Sequence, residues 1–337
     1  MPAPAATLAF EGAPTAHAVC YHARVPGPLV SVSVDLDPLE CYFRIHALAD
    51  APVEPVRHTI LRRCLPRLAE LFAKHDVKAT LFVVGRDLEE DSEGRRILGE
   101  LAAAGHEIAN HTYAHPYDLV RLGPAGIAEQ IDRCHDLITE VCGQAPVGFR
   151  APGYEISGPL IQHLCARGYR YDSSAFPAIP YYLAKAAVMG LIRAAGRRSG
   201  SILGSPAVLA APRGPYRPAA AAPYRRGDLP IVELPITVTP GLRLHVIGTS
   251  LVIAPTWLRR RLVSSALSTS FFNLELHGID LADAGGDGLP SALIAKQPDL
   301  RVSLERKWAA LDDTLAQARA AGASFVPLRE AAQRLAP

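Results

Sequence analysis

The sequence predicts an α/β fold built on a parallel sheet. Three observations lead there: short apolar segments alternate with helix-periodic ones, glycines stand where helices should end, and the unusual polar residues fall at the ends of the predicted strands. The chain has 337 residues, 49% hydrophobic and 20% charged, which is material for a large core and excludes a disordered chain. Lys plus Arg 35 against Asp plus Glu 33 leaves a formal charge of +2. That balance excludes a dedicated nucleic-acid binder, whose affinity comes from neutralising phosphates.

Residues 1–28 read as an N-terminal extension with no basic start and no apolar run of secretory type, so a cytoplasmic location is expected. The stretch Leu244 to Trp257 is interrupted by Gly248 and Pro255 and is too short for a membrane helix. Six cysteines (Cys20, Cys41, Cys64, Cys134, Cys142, Cys165) form no C-x-x-C pair and read as free buried thiols.

Residues 29 to 37, LVSVSVDLD, alternate in phase and predict a strand with Ser31, Ser33, Asp35 and Asp37 on one face. A helix is expected over about 57–75, then a strand at 79–85, giving one βαβ unit. The alternation continues with a helix at 90–104, a strand at 107–111, a helix at 123–141, a strand at 147–150, a helix at 157–167 and a strand at 169–172. Gly105 and Gly168 occupy expected helix C-caps. Residues 173–227 then carry no Asp or Glu but Lys185, Arg193, Arg197, Arg198, Arg213, Arg217, Arg225 and Arg226. Their first half predicts a short apolar and basic helix and their Pro-rich second half an extended loop, so about 178–229 reads as an insertion in a single domain spanning 29–337. A strand at 231–237, a helix at 256–268, a strand at 271–277, a helix at 302–321 and a last strand near 324–327 complete the pattern.

In a parallel sheet all strand C-termini share one edge, and in a closed (β/α) barrel that edge is where the chemistry lies. Asp35, Asp37, His111, His115, Arg150, Asp172 and His277 all stand at or just past predicted strand ends. The H-T-Y-A-H spacing of His111 and His115 brings two imidazoles to one cation if the segment curls into a turn. One carboxylate from another strand would complete a catalytic set with an open position. Asn273, Glu275 and His277 are in phase on one strand face, and Glu275 reads as half of a buried ion pair with an arginine.

Taken in order, VDLD at 34–37, GHEIANHTYAH at 105–115, GFRAPGYE at 148–155, YRYDSS at 169–174 and LELHG at 274–278 resemble the five motifs of the polysaccharide deacetylases, carbohydrate esterase family four, also called the NodB homology domain. The resemblance covers about residues 29–177 and 229–330. It implies an irregular (β/α) barrel of seven or eight parallel strands, one divalent metal, usually zinc, and removal of acetyl groups from N-acetylated sugars. By the same resemblance Asp35 is the general base and Asp37, His111 and His115 are the metal ligands. Arg150 orients Asp35, His277 is the general acid, and Asp172 holds and tunes His277. A backbone N–H of Gly153 or Tyr154 would meet the oxyanion. Two departures bear on the substrate. The first motif is D-x-D rather than adjacent aspartates, a form associated with a branch acting on atypical or intracellular amides. The fourth motif lacks its usual tryptophan.

The expected activity is metal-dependent hydrolysis of an N-acetyl group on an amino sugar or its conjugate, lipid-linked or phosphorylated sugars included. The alternatives are hydrolysis of a formamide or non-sugar amide, and a degenerate homologue that binds sugar without catalysis. Zinc is the expected ion, and the same donors accept cobalt, nickel or iron. The basic, apolar stretch 181–227 gives a further expectation of peripheral contact with a membrane or anionic lipid.

Overall fold

The structure, a computed structural model, describes residues 27–48, 51–196 and 199–337. The expected N-terminal extension, up to residue 26, lies outside them with Cys20, as do Arg197 and Arg198, and with the extension the basis for a cytoplasmic location. The strands are β1 (Leu29–Leu36), β2 (Thr80–Val83), β3 (Glu107–Asn110), β4 (Gly148–Phe149), β5 (Tyr171–Asp172), β6 (Pro218–Ala219), β7 (Ala222–Arg226), β8 (Val232–Glu233), β9 (Phe271–His277) and β10 (Ser324–Phe325). All but β6 and β7 form one parallel sheet in which β8, β5, β4, β3, β2, β1 and β9 lie side by side. β10 pairs with the start of β1. The curved sheet approaches closure where Ile247 bridges Glu275 in parallel and Thr237 N donates to Asn273 O at 3.3 Å. The fold is thus the expected irregular barrel.

Strand parity sorts the side chains. On β1, Val30, Val32, Val34 and Leu36 enter the apolar core under the helices, together with Phe272, Leu274 and Leu276 of β9. The alternate residues Ser31, Ser33 and Asp35, and Asn273 and Glu275, are buried on the lumen side. β1 and β9 are in parallel register with Ser33 opposite Glu275 and Asp35 opposite His277. Two period-2 strands therefore deliver Asp35, His277 and Glu275 to one end of the lumen.

Several elements differ from expectation for local reasons. The helix expected over 57–75 starts as a 3₁₀ turn (Val56–His58), passes through a π turn (Ile60–Cys64) and becomes α-helical only over Leu65–Lys74. Pro66 has no N–H to return to the preceding turn, so the wider spacing falls where an α-helical bond is missing. The helix expected over 90–104 is two helices, Gly85–Glu90 and Ser92–Ala103, divided at Asp91, whose Oδ1 accepts from Gly94 N at 3.0 Å as an N-cap. Gly105 and Gly168 adopt φ of 97° and 85°, as helix ends require. In the insertion, the helix Ile179–Ala194 forms as expected, but the Pro-rich half is not simply extended: it holds a 3₁₀ turn (Pro206–Ala210) and the antiparallel pair β6–β7. Cys41, Cys64, Cys134, Cys142 and Cys165 are free thiols. Among the described residues no helix is long and apolar enough to cross a membrane.

Gly148 on β4 is required by packing. A Cβ there would lie 2.0 Å from the ring of buried Tyr171, whose hydroxyl donates to Glu107 Oε1 at 2.9 Å. Gly148→Ala should therefore cost ~1–3 kcal/mol of stability. A denaturant unfolding curve checks this, and an unchanged midpoint would contradict the packing at the β4–β5 pair.

Candidate metal and acid–base site

β1 ends at the Asp37 carboxylate, and the turn after β3 supplies His111 and His115. Thr112 and His115 have φ of 68° and 51°, the left-handed backbone that curls H-T-Y-A-H back on itself. The turn is held by Asn110 Oδ1, which accepts from Thr112 N at 2.8 Å, and by Thr112 Oγ1, which accepts from His115 N at 3.1 Å. As a result His111 Nε2 and His115 Nε2 each lie 3.1 Å from the same atom, Asp37 Oδ1. All three residues are buried.

The donors fit a divalent cation. His111 Nδ1 lies 2.7 Å from the Arg150 carbonyl oxygen, an acceptor, so Nδ1 carries the proton and, in the neutral ring, the Nε2 lone pair faces the carboxylate. His115 Nε2 is buried without a hydrogen-bond partner, while its Nδ1 contacts Cys41 Sγ at 3.3 Å. Lone pairs aimed at a carboxylate oxygen repel unless a positive charge sits between them. Burial pushes the Asp37 carboxyl up, but His115 and His111 outweigh it and hold the group well below the usual carboxylate range. Burial holds His115 below the ordinary histidine value. Two imidazoles and one carboxylate are a zinc-type donor set with room for further ligands.

Asp35 is paired through its Oδ1 with Arg150 Nη1. Arg150 is wholly buried, and its guanidinium is fully engaged: Nη2 donates to Ser33 Oγ (3.0 Å) and Ser173 Oγ (2.9 Å), and Nε to Ser173 O (2.8 Å). Asn273 joins this network by accepting from Ser33 Oγ at 3.1 Å and donating to Ser173 Oγ at 3.0 Å. Phe82 lies beneath the guanidinium, 4.2 Å from its carbon. Burial pushes the Asp35 carboxyl above its ordinary value, and Arg150 and His111 oppose that push. A carboxylate so placed has its proton affinity raised while remaining tied in one orientation.

His277 corrects one expectation. Asp172 is not its partner: Asp172 Oδ1 accepts from Ser174 Oγ at 2.6 Å, and Ser174 Oγ accepts from Ala151 N at 2.8 Å. Asp172 lies opposite Glu233 in the β5–β8 register. Burial raises both carboxyls, Glu233 well above the usual range, where the neighbouring Asp172 adds to the rise. Asp172 therefore braces the loop that carries Arg150. The partner of His277 is Glu275, whose Oε1 lies 2.9 Å from Nδ1, in place of the arginine expected for that glutamate. Burial disfavours the His277 imidazolium, yet Glu275 holds the ring well above the ordinary histidine range.

Tyr154 was expected to offer its backbone N–H to an oxyanion, but that group donates to Ala151 O at 3.0 Å, leaving Gly153 as the backbone candidate. The Tyr154 side chain takes another part. Its hydroxyl donates to Glu275 Oε1 at 3.0 Å and lies 3.2 Å from His277 Nε2. Glu275 Oε1 thus meets both the Tyr154 hydroxyl and His277 Nδ1, and Tyr154 meets the other ring nitrogen. The i, i+2 phase of Glu275 and His277 carried that signal in the sequence; the Tyr154 hydroxyl had none.

These side chains line one cavity of about 280 Å³, shared by Asp35, Asp37, His111, His115 and His277 with the inner side of the helix Ile179–Ala194.

Residues 53–171 match the family described as polysaccharide deacetylase, a segment holding His111, His115 and Arg150. A peptidoglycan deacetylase of Helicobacter pylori is 29% identical over 158 residues, covering 46% of this chain and 53% of that protein. A chitooligosaccharide deacetylase of a Bradyrhizobium species is 37% identical over 90 residues, covering 26% of this chain and 39% of that protein. The matches thus span about half or less of the length of these curated relatives. In fold, the chain resembles a crystal structure from Mycobacterium smegmatis provisionally named a polysaccharide deacetylase, with a TM-score of 0.58 at 19% identity over 92% of this chain and 90% of that one. The matched segment lacks Asp35, Asp37 and His277, and the β1–β2 and β1–β9 registers bring those three to it. Joined to its fold and its relatives, that geometry leads to one conclusion: over residues 53–171 the chain is similar to the polysaccharide deacetylase family.

Proposed function

We propose that this protein is a divalent-metal-dependent hydrolase that removes the N-acetyl group from an amino sugar or amino-sugar conjugate. The observation that carries this reading is the meeting, in one small cavity, of the Asp37–His111–His115 triad with Asp35 and His277. Zinc is the ion that suits two neutral imidazoles and one carboxylate. When bound, the ion supplies Lewis-acid polarisation of the amide carbonyl and makes a water acidic enough to lose its proton near neutral pH. Asp35, oriented by Arg150, takes the proton from the attacking water. His277, kept cationic by Glu275, gives a proton to the departing nitrogen, a contribution on the order of 100- to 10,000-fold. The Gly153 N–H faces the developing oxyanion. The presence of base, acid and ligands together supports hydrolysis over a sugar-binding protein without catalysis. Exposed Leu183, Val188 and Leu191 on the helix Ile179–Ala194 support the peripheral lipid contact expected through 181–227.

Metal analysis with acetate release tests the assignment. The wild type should bind one equivalent of zinc and release acetate from an N-acetylated amino sugar. His111→Ala should lose metal and activity together, whereas Asp35→Asn should keep the metal and lose at least ~100-fold in kcat. Full turnover by metal-loaded Asp35→Asn would overturn the base assignment.

The pH profile tests the acid. His277 must be protonated to act, and activity falls as pH rises through its pKa. Glu275 raises that pKa, so Glu275→Gln should move the alkaline limb of kcat/KM to lower pH while the acid limb, set by Asp35, moves less. An alkaline limb that stays in place would remove Glu275 from its positioning role.

A further inference from the structure

The catalytic cavity does not end at the ring of catalytic side chains. Met189, Ser199 and Ser201 line both it and an outer chamber of about 740 Å³. The wall between is built rather than loose. Gly200 N donates to Arg44 O at 2.9 Å and Ser199 Oγ to Ile45 O at 2.9 Å, which ties the insertion to the helix Leu39–Ile45 directly after Asp37. The inner chamber, near the lower end of ligand-pocket volumes, holds a group about the size of one sugar ring with its acyl arm.

Away from Asp35 and Asp37, the charged residues described along this path are of one sign. Lys185 lines the inner chamber, and Arg121 and Arg193 line the outer one, whose lining among the described residues contains no carboxylate. Among the described residues none of these three cations has a carboxylate within ion-pair distance; the nearby Glu155 is engaged with Ser205 N at 2.9 and 3.0 Å. Burial lowers the Lys185 ammonium to about 8, which leaves it largely charged at neutral pH. Unpaired cations ringing a cavity draw an anion into it, and two guanidiniums with an ammonium suit the several oxygens of a phosphoryl group better than a single carboxylate. Apolar surface borders the same chamber at Met189, Ile202 and Leu203, and outward-facing Leu183 and Leu191 are 59% and 71% exposed.

Resting on the hydrolase reading above, we propose that Lys185, Arg193 and Arg121 form a phosphoryl subsite, and that the substrate is an N-acetyl amino sugar carrying a phosphate or phosphodiester. The phosphoryl group lies toward the outer chamber while the acetamide lies at Asp35 and Asp37.

The test compares acetate release by the zinc-loaded protein from N-acetylglucosamine, N-acetylglucosamine 1-phosphate, N-acetylmuramic acid and a polyprenyl-diphosphate-linked N-acetylglucosamine in detergent micelles. The subsite requires kcat/KM at least ~10-fold higher for a phosphorylated sugar than for the neutral one, mostly through KM. Lys185→Gln and Arg193→Gln should each reduce that ratio severalfold or more. Arg225→Gln, on β7 and exposed, should leave it unchanged. Preference for the soluble phosphate or for the lipid-linked sugar identifies the source of the phosphoryl group. A ratio near one, variants without effect on it, or preference for N-acetylmuramic acid over both phosphorylated sugars would overturn the subsite. If no sugar is deacetylated, the hydrolase reading fails separately, and calorimetry with N-acetylglucosamine 1-phosphate decides the subsite. Binding lost in Lys185→Gln retains it, and no binding by the wild type rejects it.

Discussion

Two imidazole nitrogens aimed at one carboxylate oxygen, all three shut away from water, form an arrangement that only positive charge can hold. Asp37, His111 and His115 are placed that way by the end of one strand and a left-handed turn after another. The rest of the rim is arranged around this constraint. Each imidazole has its second nitrogen fixed, by the Arg150 carbonyl in one case and beside Cys41 in the other, so the rings cannot rotate their lone pairs away.

The same lumen holds further buried carboxyls, and each is stabilised in its own way. Asp35 has the Arg150 guanidinium, Glu275 has the His277 imidazolium, and burial raises Asp172 and Glu233, Glu233 well above the usual carboxyl range. These environments separate the roles. A carboxylate against arginine stays available to accept a proton, one against histidine keeps that histidine cationic, and a carboxyl raised that far is inert and structural. Arg150 meets its own hydrogen-bonding capacity through Ser33 and Ser173, with Asn273 completing the network behind them. Residues far apart in the chain thus support a single guanidinium, and losing any of them would loosen the Asp35 carboxylate it holds.

The parallel sheet, the polar faces of β1 and β9 and the gathering of Asp35, Asp37, His111, His115, Arg150 and His277 were legible in the sequence, because period-2 alternation and strand ends specify both face and height. They do not specify position around the barrel. The resemblance made Asp172 the partner of His277, and its strand-end height agreed, but it sits beside Glu233 on β5 and β8. Glu275 is two residues from His277 on the same face, and it needed no crossing of the barrel at all. Composition marked 173–227 as acid-free, but only tertiary contacts such as Ser199 with Ile45 fold that segment over the cavity mouth. Likewise, the apolar periodicity over 57–75 predicts one continuous helix and carries no mark of the π turn ahead of Pro66.

The most direct test of the central claim is X-ray absorption at the zinc edge of the zinc-loaded protein. The account predicts two imidazole nitrogens at about 2.0–2.1 Å and one carboxylate oxygen at about 2.0–2.2 Å, with the remaining positions filled by solvent oxygen. The imidazole scattering should fall to one ring in His115→Ala. A spectrum with a single imidazole in the wild type, or one unchanged by removing His115, would place the ion elsewhere, for instance among Asp35, Glu275 and His277, and would contradict the account.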